Sequence, residues 1–386
     1  MMREIFSSTV AGNIIFGQGA FDRLVDCVLE MGIKNPFIVI DNGLLKTGIE
    51  RRLSELFSRH ACGFSLFDKI AGEPPIEIAD EAALMASEKK ADLIIGIGGG
   101  SAMDVAKAAA VLVTNGGNAE DYLGLNKVPG PGLPKIMIPT TAGTGSEVTF
   151  TSVFIRRDLK KKEGINSPFL YPEMALLDPL LTLSVPPEIT AATGIDALCH
   201  AIESYISISA SPASEMISSE AIGLISSNLR TAVHNGADTQ ARESMMLGSL
   251  YAGIGLANAG VTAVHALSYP LGGRYGISHG LANTVLLPSV LRFNLPGAME
   301  KLAAIAEMTG EVCENMSVRE AAFLAVEGIE ELIWDCGVVS TLETLGIKKE
   351  DFADLADAAL TVTRPLANNP RKISRQNAMD IYEDAF

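Results

Sequence analysis

The chain has 386 residues, a length that suits two hydrophobic cores better than one. Hydrophobic residues make up 48% and charged residues 20%, and 30 basic against 46 acidic residues leave a net charge of −16. These values exclude collagen-like and low-complexity chains, and they argue against any general affinity for nucleic acid or anionic membranes.

Taken in chain order, the N-terminus shows no signal-peptide pattern, and no run of about 18 apolar residues predicts a membrane span. PFIVID (36–41) reads as a buried strand ending in Asp41, and GIERRLSELFSRH (48–60) as a helix with Ile49, Leu53, Leu56 and Phe57 on one side. A strand is expected at 64–68, a helix at 77–90, a strand at 91–100, a helix at 101–114 with Ser101 as its cap, and a strand at 135–141. Residues 147–168 read as two longer strands around a polar turn, and 174–179 as a last strand. The basic run Arg156–Lys162 reads as that solvated turn. Such alternation predicts an α/β domain with a mainly parallel sheet over residues 1–185. The Pro pair in LTLSVPPEIT marks a boundary near Ser184–Pro187, and helical periodicity then runs to the end, predicting an all-α domain over 186–386.

GIGGGSAMD (96–104) follows a predicted strand and opens a helix. Glycines let a phosphate approach the backbone, and a helix N-terminus offers free N–H groups. The spacing departs from G-x-G-x-x-G, since Ser101 stands where the last glycine belongs, and the acid expected about 20 residues later is replaced by Asp41, well before the loop. A nucleotide fold of unusual arrangement and a simple tight turn both stay open. Asp41 is either a ribose acceptor that repels a 2′-phosphate or the turn residue of DNG. PTTAGTGSE (139–147) is a second loop, in which Thr140, Thr141, Thr144 and Ser146 offer hydroxyls.

Of the five histidines, His265 and His279 flank the glycine-rich HALSYPLGGRYGISH, while Asp196 and His200 lie four apart in TGIDALCHAIESY, on one face of a predicted helix. Together they are candidate ligands for a divalent metal. Read singly, the pair is a local contact and His265 a core histidine. His60 reads as a helix end and His234 as a loop residue. The five cysteines are scattered and never form CxxC, so no disulfide scaffold or thiolate site is expected, and a reducing cytoplasm fits.

Four segments in order, GGGSAMDVAKAAAVL, IPTTAGTGSEVT, GIDALCHAIESYIS and AVHALSYPLGGRYGISHGLANTVLLPSVLRFN, resemble the iron-containing (group III) alcohol dehydrogenases. That family takes in lactaldehyde reductases and 1,3-propanediol dehydrogenases, and the resemblance runs through essentially the whole chain. It implies a dehydroquinate synthase-like fold: an α/β nucleotide-binding domain followed by an all-helical metal- and substrate-binding domain. It implies Asp196, His200, His265 and His279 as metal ligands, with Fe2+ the implied ion and Zn2+ compatible with the same donors. It implies Gly98, Gly99, Gly100 and Ser101 as the pyrophosphate loop, Asp41 as the group that favours NAD over NADP, and Thr140, Thr141, Thr144 and Lys162 as further cofactor contacts. One position departs from the family: where many members keep another histidine, this chain has Tyr269, a candidate either for proton relay or for lining the pocket.

The implied activity is metal-dependent, NAD(H)-linked hydride transfer on a small alcohol, diol or hydroxy acid and the corresponding aldehyde, in a cytoplasmic homo-oligomer without nucleic-acid or membrane partners. Two alternatives stay open. One is a carbon–oxygen lyase on the same scaffold. The other is a hydroxyacid or oxoacid dehydrogenase whose anionic substrate meets Arg274, a residue that otherwise reads as a surface ion pair.

Overall fold

The alternating apolar side chains of PFIVID decide how the first half folds. A strand sends successive side chains to opposite faces, so a strand that is apolar throughout needs cover on both. In the computed structural model, which describes residues 5–159, 161–338 and 340–386, that cover is helical. The first half contributes β1 (Asn13–Phe16), α1 (Leu24–Glu30), β2 (Pro36–Asp41), α2 (Ile49–Arg59), β3 (Ser65–Ile70), α3 (Glu77–Glu88), β4 (Leu93–Gly98), α4 (Gly100–Asn115), β5 (Gly124–Leu125), β6 (Lys135–Pro139), β7 (Thr151–Arg156), β8 (Lys161–Asn166) and β9 (Met174–Leu177). A six-stranded sheet in the order β1-β9-β6-β4-β2-β3 has parallel ladders throughout. Ile38 and Ile40 of β2 share a core with α1 and α2, while Phe37 and Val39 share another with α3 and α4. Helices therefore cover both faces.

The two strands expected around the polar turn are β7 and β8, which pair antiparallel in a separate three-stranded sheet with β5. Arg156 of the basic run pairs with Glu120, Asp158 and Glu163, and Lys160 lies outside the described residues. β1 and α1 had no counterpart in the sequence reading. β1 is a four-residue edge strand, too short to show a period of its own.

The second half is helical: α5 (Pro187–Ile206), α6 (Pro212–His234), α7 (Thr239–Ala259), α8 (Ala263–Tyr275), α9 (His279–Met308, broken at Ala298), α10 (Val318–Asp335), α11 (Phe352–Ala359), α12 (Thr363–Asn368) and α13 (Arg375–Asp384). α5 is buried along most of its length, which explains why it carries Ala, Ile, Leu and Cys around its circumference rather than on one stripe. Packing divides the chain into two units. One comprises Ala11–Thr141 and Gly145–Val185; the other comprises Pro186–Phe386 with the N-terminal segment up to Val10 and Ala142–Thr144. Among the described residues no single helix is long and apolar enough to cross a membrane.

Candidate functional site

In the helical unit, α5 supplies Asp196 and His200, one turn apart. His265 lies in the first turn of α8, and His279 is the first residue of α9. Their donor atoms all lie within 4.8 Å of one another. The Nε2 atoms of His200 and His265 are 2.9 Å apart, and their rings stack at 4.7 Å between centroids. Asp196 Oδ1 is 4.0 Å from His200 Nε2 and 3.8 Å from His279 Nε2. Close approach of α9 to α5 helps bring this about. A Cβ on Gly280, the residue after His279, would lie 2.5 Å from the Ala192 carbonyl oxygen, so only glycine admits that contact.

Three of the four side chains are 5% exposed or less, whereas that of His279 is 29% exposed. The cluster therefore opens on the His279 side. Tyr269 stands there, its ring centroid 6.0 Å from that of His279 and 6.4 Å from that of His265. Arg274 is exposed and lies nine residues past His265, half a turn round α8 at about 100° per residue, so it does not face the cluster.

Burial pushes the Asp196 carboxyl up, but His200, His279 and His265, together with the Asn283 amide, outweigh it and hold the carboxyl at about 2. Burial drives the His200 imidazole down, toward the neutral form a metal ligand needs. Three imidazoles and one carboxylate, buried together without a thiolate, form a donor set that can hold Fe2+ or Zn2+. The facing Nε2 atoms fit this use, because their 2.9 Å spacing is one that a single bridging proton or a cation bound by both can fill.

Two residues of this cluster escaped the sequence reading. Glu203 is fully buried on α5, one further turn along the face of Asp196 and His200, and its Oε2 pairs with His265 Nδ1. Asn283, also fully buried, donates from Nδ2 to Asp196 Oδ1 at 2.7 Å. Their positions carried a signal: Glu203 follows His200 by three residues and Asn283 follows His279 by four, both helical neighbours. The remaining histidines lie elsewhere. His60 caps the C-terminus of α2, and His234 ends α6 rather than lying in a loop, with Nε2 2.7 Å from the Asp335 carbonyl oxygen.

In the α/β unit, the ends of three adjacent parallel strands come together. Asp41 ends β2, the glycines follow β4, and Thr140 and Thr141 follow β6. Chain connections leave β2 and β4 in opposite directions, so the crevice beyond these strand ends is a topological switch point. A Cβ on Gly98 would lie 3.2 Å from Asp41 Cβ, and one on Gly99 would lie 3.5 Å from Thr141 Oγ1. Thr140 N–H donates to the Gly98 carbonyl at 3.0 Å.

The expected cap at Ser101 is corrected. Gly99 is the N-cap of α4 and no side chain caps it, while Ser101 lies in the first turn. A glycine cap leaves the first-turn N–H groups unclaimed by any side chain, the arrangement that receives phosphate. Asp41 does serve its DNG turn, accepting from Gly43 N–H at 2.8 Å. Ser146 is committed to structure: its Oγ donates to Asp104 at 2.6 Å, and its carbonyl accepts from the buried Lys107 at 3.0 Å. Lys162 sits on β8, where it pairs with Glu73 at 2.7 Å, and Thr144 groups with the helical unit.

A doubly covered parallel sheet with a glycine-capped helix at its switch point, followed by a helical unit with a three-histidine, one-carboxylate cluster, defines a class of nucleotide- and metal-dependent enzyme. Comparison with known proteins agrees. Residues 11–179 match the family model described as iron-containing alcohol dehydrogenase, and residues 190–386 match that of the C-terminal part of the same family. The chain belongs to the iron-containing alcohol dehydrogenase family and is an oxidoreductase of alcohols and aldehydes. It is 42% identical to long-chain-alcohol dehydrogenase 1 of Geobacillus thermodenitrificans (strain NG80-2), over 96% of this chain and 94% of that one. Its fold matches a crystal structure of 1,3-propanediol oxidoreductase with a TM-score of 0.96 and 36% identity, covering 99% of this chain and 100% of the other. It also matches sulfoacetaldehyde reductase from Bifidobacterium kashiwanohense in complex with NAD+, with a TM-score of 0.90 and 31% identity over 99% of both chains. Of the enzyme classes open on sequence, the family decides for the dehydrogenase over the lyase.

Proposed function

We propose that this chain reduces small aldehydes and oxidises the corresponding small alcohols or diols with NAD(H), using Fe2+ held by Asp196, His200, His265 and His279. The convergence of these four donors from three helices carries the reading. The family's iron dependence favours Fe2+ over Zn2+, which the same donors also suit. For the cofactor, the reading rests on the uncapped start of α4, on Asp41 beside Gly98, where its charge opposes a 2′-phosphate, and on the NAD+ complex of a similar reductase. Thr140 and Thr141 border the same strand ends and join Gly98, Gly99, Gly100 and Ser101 as proposed cofactor contacts. Thr144 and Lys162 are kept as weaker members of that set.

When bound, the metal polarises the alcohol or carbonyl oxygen as a Lewis acid and the nicotinamide carries the hydride. The chain's own residues position and exclude. Asp196 contributes fixed negative charge, and the three imidazoles contribute neutral donors. Burial of three of the four keeps water to the His279 side, where the Tyr269 ring lines the approach. Arg274, on the far side of α8, supplies no anion contact there, so an uncharged substrate is favoured over a hydroxy acid. The free cysteines suit a cytoplasmic setting, and the resemblance implies a homo-oligomer, which light scattering on the purified chain tests.

The deciding experiment is steady-state turnover on a panel of short alcohols, diols and hydroxy acids, with NAD and with NADP, after reloading metal-free protein with Fe2+ or Zn2+. Turnover of alcohols or diols with NAD that requires the metal is expected. Equal turnover without metal would sink the proposal.

A further inference from the structure

We propose that Glu203 is a positioning residue for His265: it holds the ring proton on Nδ1 and so keeps the Nε2 lone pair turned into the metal cluster. The proposal rests on the metal reading above. Glu203 is fully buried, yet neither of its oxygens lacks a partner. Oε1 accepts from Thr262 N–H at 3.0 Å, Thr262 Oγ1 at 2.7 Å and Val264 N–H at 2.8 Å. These three bonds fix the carboxylate plane and suit its ionised form. Oε2 is then aimed at His265 Nδ1. An ionised carboxylate only accepts, so Nδ1 must donate, and in a neutral imidazole that leaves Nε2 as the lone-pair nitrogen.

The same bonds set the place of His265 as well as its tautomer. Thr262 is the N-cap of α8, and no side chain of its own caps the helix. Glu203 performs that task from α5, and its negative charge lies at the positive end of the α8 dipole. His265 lies in that first turn. Asp196, His200 and Glu203 follow at i, i+4 and i+7 of one helix face, so α5 carries two metal donors and the holder of a third. A carboxylate behind a metal-binding imidazole raises the ring's basicity and fixes its orientation.

The test uses the full chain labelled with nitrogen-15 histidine, metal-free and Zn2+-loaded, with His265→Ala to assign the signal. Long-range proton–nitrogen NMR reads the tautomer of each ring. The wild-type chain is expected to show His265 protonated on Nδ1, and Glu203→Gln to shift it toward Nε2–H. Competition with a chelator is expected to show Fe2+ and Zn2+ affinity reduced about 10–100-fold in Glu203→Gln. A wild-type His265 protonated on Nε2 overturns the proposal, and this measurement needs no variant to fold. A Glu203→Gln chain with a lower Tm but an unchanged tautomer and metal affinity also overturns it, because Glu203 would then be a helix cap only. A wild-type chain that binds neither Fe2+ nor Zn2+ defeats the metal reading instead, while the tautomer still decides the role of Glu203.

Discussion

His200 and His265, on different helices, direct their Nε2 atoms at each other across 2.9 Å in a buried cluster. A metal-free pair can hold that spacing through one N–H···N bond, and where both nitrogens present lone pairs a cation must stand between them. A cation bound by both satisfies the pair, and Asp196 supplies the negative charge that makes its burial tolerable. Replacing His200 with Ala is expected to abolish stoichiometric metal binding, measured by elemental analysis, while circular dichroism retains the helical signal. Loss of several kcal/mol of transition-state stabilisation corresponds to a drop in kcat/KM on the order of 10³-fold or more. Prolonged chelation of the wild-type chain should reproduce the loss, and added Fe2+ should reverse it.

Tyr269 stands at the open side of the cluster. If the ring serves by lining the approach, Tyr269→Phe keeps kcat within about threefold and changes mainly KM. A hydroxyl that transferred a proton would cost about 10²–10⁴-fold in kcat. Steady-state kinetics with one good alcohol separates the two, and the lining outcome is expected.

Asp41 lies beside the glycine turn at the strand ends. Its charge opposes a 2′-phosphate by an amount on the order of 1–2 kcal/mol. Asp41→Ala should therefore raise kcat/KM with NADP about tenfold and leave the metal content unchanged. An unaltered ratio of NAD to NADP efficiency would remove Asp41 from cofactor selection.

Gly98 has φ +149°, and a Cβ there would lie 2.8 Å from Ala102 Cβ as well as against Asp41. Gly98→Ala must shift the start of α4 away from the sheet. Overpacking of this kind costs about 1–3 kcal/mol, so a lowered Tm is expected. NAD affinity by titration calorimetry should fall with it, because the first-turn N–H groups move.

Burial raises the Glu147 carboxyl to about 7, against the opposing effect of its own backbone and of Lys107. From the unfolded carboxylate range up to about 7, the folded chain holds a proton that the unfolded chain has released, so stability falls as pH rises through that window and levels off above it. The penalty is about 3 kcal/mol. Glu147→Gln removes the ionisable group. It is expected to raise Tm relative to wild type at pH about 8 and to change it little at pH about 5.

Much of the site was legible because its parts are local. Asp196 and His200 are four residues apart on one helix, the glycines follow their strand directly, and Asp41 ends a strand whose apolar run is unmistakable. Helix and strand limits from residue 36 to 115 were readable within a few residues for the same reason. β1 was not, since four residues at a sheet edge carry no period. Ser101 does not cap α4: capping preference favours Ser, whereas the close approach at Gly98 and Gly99 puts glycine there instead.

By itself the sequence determined which side chains were available, their local order along helices and strands, and the run of motifs that marks the family. Packing over long separations decided what they do. Glu203 meets His265 across 62 positions and Asn283 meets Asp196 across 87. Ser146, one of the hydroxyls that the second loop offers, is spent on Asp104. Arg274, so near His265 and His279 in the chain, is turned to the other side of its helix. Helical periodicity alone would have allowed that last exclusion. The other relationships depend on which faces the helices bury against one another, which no spacing along the chain specifies.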